Sequence, residues 1–216
     1  MYEYIDIMRV GVVMFYDDAI KEYGDNNYAI NKKYCDKYKL DIILSQEKTY
    51  QNRHAAWERL PLILKHIEKY DYLIWIDADA YFYYDAGNIV DFIQEQPNDN
   101  FIFSNDMGNR NINSGFFIVK NCEYSRQFLQ KWAYDEELYI NNPYPIWWDQ
   151  GVLCSMIEQN ILDIKNNASC HEYGIMQHFD KDYLVHSHKR PYVFHMAGRT
   201  TNERIIESNK YYDMIL

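Results

Sequence analysis

The sequence predicts an α/β fold in which helices cover a parallel sheet, and three observations support this class. Apolar runs typical of buried strands alternate with helical patterns along the chain, as in βαβ units. One such run, Tyr72–Ile76, ends abruptly at Asp77 and Asp79, as expected at the carboxyl edge of a sheet, where open α/β folds bind ligands. The 216 residues, 48% of them hydrophobic, are enough to bury one α/β core.

Hydrophobic spacing predicts the individual elements in order. In the first half of the chain they are a strand at 9–15, a helix or helix pair at 18–38 interrupted near Gly24, a strand at 41–44, a helix at 53–69 with a kink or restart at Pro61, and the strand at 72–76. In the second half they are a helix at 87–96, strands at 101–103 and 114–119, a helix at 122–140 and a helix from Trp147 to about Glu158. Residues 161–194 read as a shorter, mixed region, and no repeat or linker divides the chain.

The formal net charge of −10 bears on the class of ligand. It argues against binding to nucleic acid or to an anionic membrane, and it would repel a phosphorylated substrate unless a divalent cation reversed the local field. The four cysteines are widely spaced, which argues against a zinc site and is typical of reduced thiols in a cytosolic protein. Neither a signal-peptide pattern nor an apolar stretch of about 18 residues is recognisable. We therefore expect a cytoplasmic protein (host cytoplasm for a viral one) without a membrane span.

The carboxylates that follow the Tyr72–Ile76 strand are candidate metal ligands. Residues i and i+2 of an extended segment point the same way, and only the small Ala78 separates Asp77 from Asp79. Oxygen ligands of this kind suit Mn²⁺ or Mg²⁺, and phosphates often complete their coordination. An isolated Asp-x-Asp also occurs in turns and on solvated surfaces, so the metal hypothesis depends on the rest of the chain.

Three further stretches also place several polar residues at the end of a strand or loop. They are Asn113–Gly115, Trp148–Gln150 and His195–Arg199. In this order and spacing, the four stretches together resemble glycosyltransferases of the GT-A fold. The likeness is to the family of yeast galactosyl- and mannosyltransferases and plant xyloglucan xylosyltransferases, and to the related glycogenin-like family, over roughly residues 9 to 200.

This resemblance implies an architecture and a set of ligands. The fold would be Rossmann-like, with a mixed, mostly parallel central sheet flanked by helices in a single domain over residues 1–216. Residues 1–105 would form approximately the donor-binding part, and residues 106–216 the acceptor and catalytic part. The implied partners are a nucleotide-sugar donor, UDP-linked, and a glycan or glycoprotein acceptor; the implied cofactor is Mn²⁺ or Mg²⁺.

The resemblance also assigns a role to each matched residue. It implies a metal site formed by Asp77, Asp79 and His195, and a catalytic pair, Asp149 and Gln150, beside the transferred sugar. The implied donor-binding residues are Phe15, Tyr16, Asp17, Arg53, Arg59, Asp77, Ala78, Asn113, Ser114, Gly115, Gly198 and Arg199. Among these, Tyr16 is expected to stack on the base. Arg199 stands where the family usually has lysine, and Arg204 is a second candidate for the diphosphate.

Other interpretations remain for the chain and for single residues. The chain can be a carbohydrate-binding module rich in surface Tyr and Trp, an Asp-x-Asp phosphohydrolase or a nucleotidyltransferase. A dehalogenase-type phosphatase usually has Thr or Val at the position of Tyr81. A nucleotidyltransferase needs a glycine-rich loop after the first strand, where this chain has Tyr16-Asp17-Asp18. For single residues, the alternatives are purely structural roles. They are a strand histidine at His195, a helix N-cap at Asp149, a turn at Asn113, core packing at Trp147 and Trp148, and surface positions for His186 and His188.

Overall fold

The computed structural model describes residues 8–107, 111–179 and 191–215. Its strands are β1 (Val10–Phe15), β2 (Asp41–Ser45), β3 (Tyr72–Ile76), β4 (Ala80–Phe82), β5 (Phe101–Asn105), β6 (Ile112–Lys120), β7 (Ala168–His171), β8 (Gln177–His178) and β9 (Val193–His195). Its helices are α1 (Lys21–Tyr38), α2 (Arg59–His66), α3 (Ile89–Gln94), α4 (Glu123–Tyr134), α5 (Glu136–Ile140), α6 (Trp148–Glu158) and α7 (Thr201–Ile215). Short 3₁₀ turns lie at Asp18–Ile20, Ala55–Glu58, Ile67–Lys69, Pro145–Trp147 and Ile161–Asn166.

The central sheet has six strands in the order β2-β1-β3-β6-β5-β7. Strand β1 pairs in parallel with β2 and β3, and β5 pairs in parallel with β7. Strand β6 lies between β3 and β5 and runs antiparallel to both. The short link from β5 to β6 explains this reversal, because a parallel connection would need a crossover of a dozen or more residues. The mixed, mostly parallel sheet is thus confirmed.

Both faces of the sheet are covered. Successive residues of β1 point to opposite sides, so Val12 and Met14 join one hydrophobic core while Val13 and Phe15 join the other. The first core includes residues of α1 and α3, and the second includes residues of α2, α4 and α6. Burial on both faces explains why these strands appear in the sequence as continuous apolar runs.

Several helices differ from their predicted bounds. Helix α1 continues through Gly24, where a Cβ would lie 2.7 Å from the Tyr16 ring, so the glycine serves close packing rather than a break. The helix predicted at 122–140 is divided at Asp135, whose side chain caps α5 by accepting from Leu138 N at 3.0 Å. Pro61 lies in the first turn of α2, where its missing N–H costs no helical bond.

A second, three-stranded sheet in the order β4-β9-β8 was not predicted, because its strands are only two or three residues long. Helix α1 holds this sheet through Asn31, whose side chain donates to Ala80 O (3.1 Å) and accepts from Phe82 N (2.8 Å). One turn earlier on α1, Asn27 donates to Ala78 O at 2.7 Å. These two asparagines fix the segment that carries the Asp pair.

The described residues include no helix that is both long enough and apolar enough to cross a bilayer. The division into a donor-binding and an acceptor part near residue 105 stays a prediction. Strand β6 follows that point in the chain and lies inside the central sheet, so the fold shows no boundary there.

Candidate functional site

The Asp pair lies in a turn directly after β3. Asp77 N donates to Gly115 O of β6 at 2.8 Å, and Ala80 N donates back to Asp77 O at 3.0 Å. The segment is therefore a turn and not the extended strand end predicted from the sequence. The turn still brings both carboxylates to one place, together with His195.

His195 reaches the pair through the small sheet. Strand β9 runs antiparallel to β4 with His195 opposite Ala80, and Met196 N donates to Asp79 O at 2.8 Å. As a result, His195 Nε2 lies 3.2 Å from Asp79 Oδ1 and 3.9 Å from Asp77 Oδ2. One ligand atom from each of the three residues lies within 4.8 Å of the others. Two carboxylates and an imidazole form a donor set that suits Mn²⁺.

Gly115 provides the space for the His195 ring. A Cβ at this position would overlap the ring and would lie 2.8 Å from Asp77 Oδ2. The glycine of the Asn113–Gly115 stretch is therefore required by the packing of the candidate metal ligands against β6.

Gln177, which belongs to no recognisable motif in the sequence, determines the tautomer of His195. Gly115 N donates to Asn113 Oδ1 at 2.9 Å, which fixes that atom as an oxygen. Gln177 Nε2 donates to the same oxygen at 3.3 Å, so Gln177 Oε1 is the atom 3.0 Å from His195 Nδ1. Nδ1 must then carry the proton, which leaves Nε2 as the ligand atom when the imidazole is neutral. No sequence signal marked Gln177, because its partners come from β6 and β9.

Arg59 links the Asp pair to the predicted catalytic aspartate. Its guanidinium is 4% exposed and lies 3.1 Å from Asp77 Oδ1 and 3.2 Å from Asp149 Oδ2. It also donates to the backbone oxygen and the hydroxyl of Ser114. The Asp77 carboxylate accepts a further bond from Trp75 Nε1 at 2.7 Å. Residues from β3, α2, β6 and α6 thus meet in one network.

Asp149 and Gln150 lie in the first turn of α6. Gln150 Oε1 accepts from Ser114 N at 3.0 Å, which ties α6 to the start of β6. Asp149 is 1% exposed, and among the described residues no group is hydrogen-bonded to its Oδ2. Arg59 Nε is near, but it donates to Ala56 O at 2.9 Å instead. Asp149 is not the N-cap of α6, since Trp147 occupies that position.

The electrostatics of the cluster follow from burial and from its close ion pairs. Burial raises the pKa of Asp149 to about 7, in spite of Arg59. Burial also raises the pKa of Asp77, and Arg59 and His195 only partly offset this effect. For Asp79, burial is outweighed by His195 and Arg204, which hold the pKa at about 2. For His195, burial would lower the pKa, but Asp79 and Asp77 raise it above the usual range.

The structure brings Arg204, rather than Arg199, to the Asp pair. Arg204 Nη2 lies 2.8 Å from Asp79 Oδ2. Arg199 instead donates to Phe179 O at 3.0 Å and lies over the Phe194 ring. Gly198 adopts a φ of +74° with open space around its Cβ position, so it serves the turn that leads from β9 into α7.

Two other residues that were predicted to contact the nucleotide-sugar donor bind other parts of the protein instead. The Tyr16 ring is 2% exposed against Gly24, and its hydroxyl donates to Asp25 at 2.6 Å, so the expectation that it stacks on a base is corrected. The Arg53 guanidinium is enclosed by three rings and donates to Ala133 O at 2.8 Å, which indicates a structural role. Those rings belong to Tyr50, Trp57 and Tyr139.

The remaining predicted residues border the site or lie outside the described part. Phe15 is buried in the core, and Asp17 pairs with Lys48 at 2.7 Å. Ala78 is buried, and its carbonyl is bound by Asn27. His186 and His188 lie outside the described residues.

A family model described as "Protein of unknown function, DUF273" matches residues 31–146, more than half of the chain. The chain belongs to the DUF273 family. The matched region of this DUF273 chain contains Arg59, Asp77, Asp79 and Asn113, whereas Asp149 and His195 lie beyond it.

The DUF273 chain is also similar in sequence to named plant glycosyltransferases. It is 26% identical over 114 residues to Xyloglucan 6-xylosyltransferase 4 of Arabidopsis thaliana, a match that covers 46% of this chain and 21% of the other. It is 28% identical over 132 residues to Probable glycosyltransferase 3 of Oryza sativa subsp. indica, a match that covers 54% and 27%. The chain thus spans about a quarter of the length of the curated relatives it matches.

Solved structures share the fold of the DUF273 chain. A glycosyltransferase involved in the glycosylation of the major capsid of PBCV-1 matches 94% of this chain and 99% of its own, with a TM-score of 0.76 and 17% identity. The galactosyltransferase LgtC, crystallised with donor and acceptor sugar analogues, matches 93% and 95% with a TM-score of 0.54 and 12% identity. The predicted resemblance is therefore confirmed: the fold is that of the GT-A glycosyltransferases.

Proposed function

We propose that this chain is a metal-dependent glycosyltransferase. It transfers a sugar from a nucleoside-diphospho-sugar, a UDP-sugar in the first instance, to a hydroxyl of a glycan or glycoprotein acceptor. The observation that carries the proposal is the meeting of three ligand atoms, from Asp77, Asp79 and His195, within 4.8 Å of one another. They lie at the carboxyl end of β3, on the sheet edge where open α/β folds bind their ligands.

The donor set fits Mn²⁺ or Mg²⁺, since the Gln177 contact keeps the proton of the neutral His195 imidazole on Nδ1 and leaves Nε2 for the metal. Bound there, the cation would offset the negative charge that develops on the departing diphosphate. Arg59 keeps Asp77 oriented while also holding the backbone of Ser114 at the start of β6. Asn113 and Gln177 keep the His195 ring in place.

Asp149 is the candidate for contact with the transferred sugar. A buried carboxylate oxygen without a hydrogen-bond donor is rare in proteins and fits a partner that arrives with the substrate. Sugar hydroxyls are such donors. A pKa of about 7 also lets Asp149 accept a proton near neutral pH, as a base toward the acceptor hydroxyl requires. Gln150, anchored to Ser114, lies beside it in the sequence and is proposed to face the anomeric carbon.

A stacked pair of rings supports an acceptor contact next to Asp149. The rings of His54 and Trp148 lie 3.7 Å apart and are parallel within 3°. His54 precedes Arg59 by five residues and Trp148 directly precedes Asp149, so the pair adjoins the Arg59–Asp149 contact. Trp148 is 45% exposed, and a flat aromatic surface of this kind can pack against the apolar face of a sugar ring. We propose that it contacts the acceptor glycan.

The test is hydrolysis or transfer of UDP-sugars by the purified chain in the presence of Mn²⁺. We expect nucleotide release that EDTA abolishes and that Asp79→Ala lowers by at least about a hundredfold, since the substitution removes a metal ligand. Gln159→Ala, an exposed position at the end of α6, is the matched control and should leave the rate unchanged. Absence of any metal-dependent release across a panel of nucleotide sugars would rule the proposal out.

The same assay separates the alternatives. A carbohydrate-binding module would bind saccharides equally well with EDTA and without nucleotide. A phosphohydrolase would release inorganic phosphate from simple phosphate esters, and a nucleotidyltransferase would release pyrophosphate from a nucleoside triphosphate. A transferase releases UDP from the UDP-sugar, and this product distinguishes it from all three.

A further inference from the structure

Arg204 contacts a carboxylate oxygen of Asp79 that a metal ion would need as a ligand. Its Nη2 lies 2.8 Å from Asp79 Oδ2, while His195 Nε2 lies 3.2 Å from Oδ1 of the same carboxylate. Both oxygens of Asp79 are therefore in contact with a nitrogen of the protein. A cation that binds Asp79 must compete with at least one of these contacts.

The cluster is also close to electrical neutrality without a metal ion. Two acidic side chains, Asp77 and Asp79, are each paired with an arginine, Arg59 at 3.1 Å and Arg204 at 2.8 Å. A divalent cation added alone would bring together several positive charges. A cation that arrives with a nucleoside diphosphate brings compensating negative charge, and Arg204 gains a new partner among the phosphate oxygens.

The attachment of Arg204 allows a change of partner without movement of its helix. Thr200 and Glu203 form a reciprocal cap at the start of α7, with Glu203 N donating to Thr200 Oγ1 and Thr200 N donating to Glu203 at 2.8 Å. The Arg204 side chain is 22% exposed, and its Nε donates to Met196 O at 3.3 Å. The backbone is thus fixed, while the outer guanidinium nitrogens can turn from Asp79 to a phosphate that lies beside it.

We propose that Arg204 is an exchangeable counter-cation, which holds Asp79 in the empty site and transfers to the diphosphate when the metal and the nucleotide bind. This inference rests on the proposed function, since it assumes a nucleoside diphosphate as the ligand. Its consequence is positive coupling: the nucleotide draws Arg204 away from Asp79 and so strengthens metal binding, and the metal strengthens nucleotide binding by the same factor.

The experiment measures Mn²⁺ binding by the electron paramagnetic resonance signal of the free ion, without and with UDP, for the full chain. Arg204→Ala is compared with Arg204→Gln, which keeps a long side chain without the charge. In both variants we expect Mn²⁺ alone to bind about tenfold more tightly and UDP with saturating Mn²⁺ to bind about tenfold more weakly. The coupling between the two ligands should shrink accordingly. Arg126→Ala, which removes the same charge from a half-buried side chain in the first turn of α4, bound to Asn121, should change neither affinity.

Opposite results decide against the exchange. If Mn²⁺ alone binds more weakly to both Arg204 variants, the arginine only positions Asp79. If UDP affinity is unaltered, Arg204 does not reach the diphosphate. Failure of the wild-type chain to bind Mn²⁺ or UDP at all would instead overturn the proposed function, and the exchange with it.

Discussion

Asp149 is a buried acid whose protonation couples folding to pH. An unfolded aspartate has a pKa near 3.9, whereas burial raises that of Asp149 to about 7. Between these values the folded state holds one more proton than the unfolded state, so stability falls as pH rises through this window. We expect the free energy of unfolding of the wild type to fall by up to about 1.4 kcal/mol per pH unit relative to Asp149→Asn, from about pH 4 to pH 7.

Urea denaturation across this range checks the prediction. The two proteins should show parallel pH dependence below about pH 4 and above about pH 7, where Asp149 has the same charge in both states. Parallel curves through the intermediate window would mean that Asp149 is ionised in the folded protein.

Gln177 would act on the proposed metal site only through His195. Gln177→Ala removes the acceptor that holds the proton on Nδ1, so we expect Mn²⁺ affinity in the presence of UDP to fall about 10- to 100-fold. Gln177→Glu keeps that acceptor and should recover most of the affinity. Nitrogen-15 NMR of the imidazole should report a mixture of tautomers in the alanine variant alone. The same tautomer in all three proteins would show that Gln177 is only a packing residue.

At the scale of elements, α1 supports the turn that carries Asp77 and Asp79 through its asparagines. Asn31 satisfies the carbonyl of Ala80 and the N–H of Phe82, both of which are buried. Asn31→Ala leaves both without this partner, and we expect a loss of about 3 kcal/mol in the free energy of unfolding, measured with urea. Asn202→Ala, at an exposed position in the first turn of α7, should cost less than about 0.5 kcal/mol. Equal midpoints for the two variants would contradict the role assigned to Asn31.

The junction between the Pro145–Trp147 turn and α6 stores backbone strain at Trp148. This residue has φ 50° and ψ −121°, a conformation that only glycine adopts readily. Trp148→Gly and Trp148→Ala both remove the stack on His54, but only glycine also relieves the strain. We expect the glycine variant to be more stable than the alanine variant by about 1 kcal/mol or more, by thermal unfolding.

The same pair of variants tests the acceptor contact. Both should raise the acceptor KM several-fold while leaving metal-dependent donor hydrolysis unchanged, because the stacked rings lie beside the site and not among the metal ligands. Equal stability of the two variants would argue against strain at Trp148. An unchanged acceptor KM would argue against the proposed contact.

For the whole molecule, we expect the net charge of −10 to make the proposed nucleotide binding depend on the cation. We expect UDP with EDTA to leave the thermal unfolding temperature unchanged. UDP with Mn²⁺, at a hundredfold excess over its dissociation constant, should stabilise the fold by about 2.7 kcal/mol. Stabilisation by UDP in EDTA would mean that the arginines alone suffice to hold the diphosphate.

The sequence predicts five of the six strands of the central sheet, because most of them form apolar runs that need no partner to be recognised. It misses the edge strand β7, whose Ala-Ser-Cys-His sequence is short, mixed and only partly buried. It does not predict β4, β8 or β9, whose two or three residues carry no periodicity and pair over long distances in the chain. The interruption expected near Gly24 was wrong for a related reason. The glycine accommodates the Tyr16 ring, a contact that local preference cannot reveal.

The candidate site, too, was predicted only in part from the sequence. Asp77, Asp79 and His195 were predicted together from the resemblance, and the structure brings their ligand atoms within 4.8 Å. Gln177 was not predicted, since an isolated glutamine has no motif. Arg53 and Arg59 were equally good candidates in the sequence. Their contacts in the fold separate them, because three aromatic rings surround Arg53 whereas Arg59 lies against Asp77 and Asp149.

Gly115 has a consequence for how activity is inferred among relatives of this chain. The space for the His195 ring depends on a single hydrogen in place of a methyl group. A descendant with alanine at this position would keep all three proposed metal ligands, Asp77, Asp79 and His195, yet the His195 ring could not lie where it does here. Such a protein would pass a motif search for the proposed activity while lacking the proposed metal site, so we expect the glycine to be as informative as the Asp-x-Asp itself.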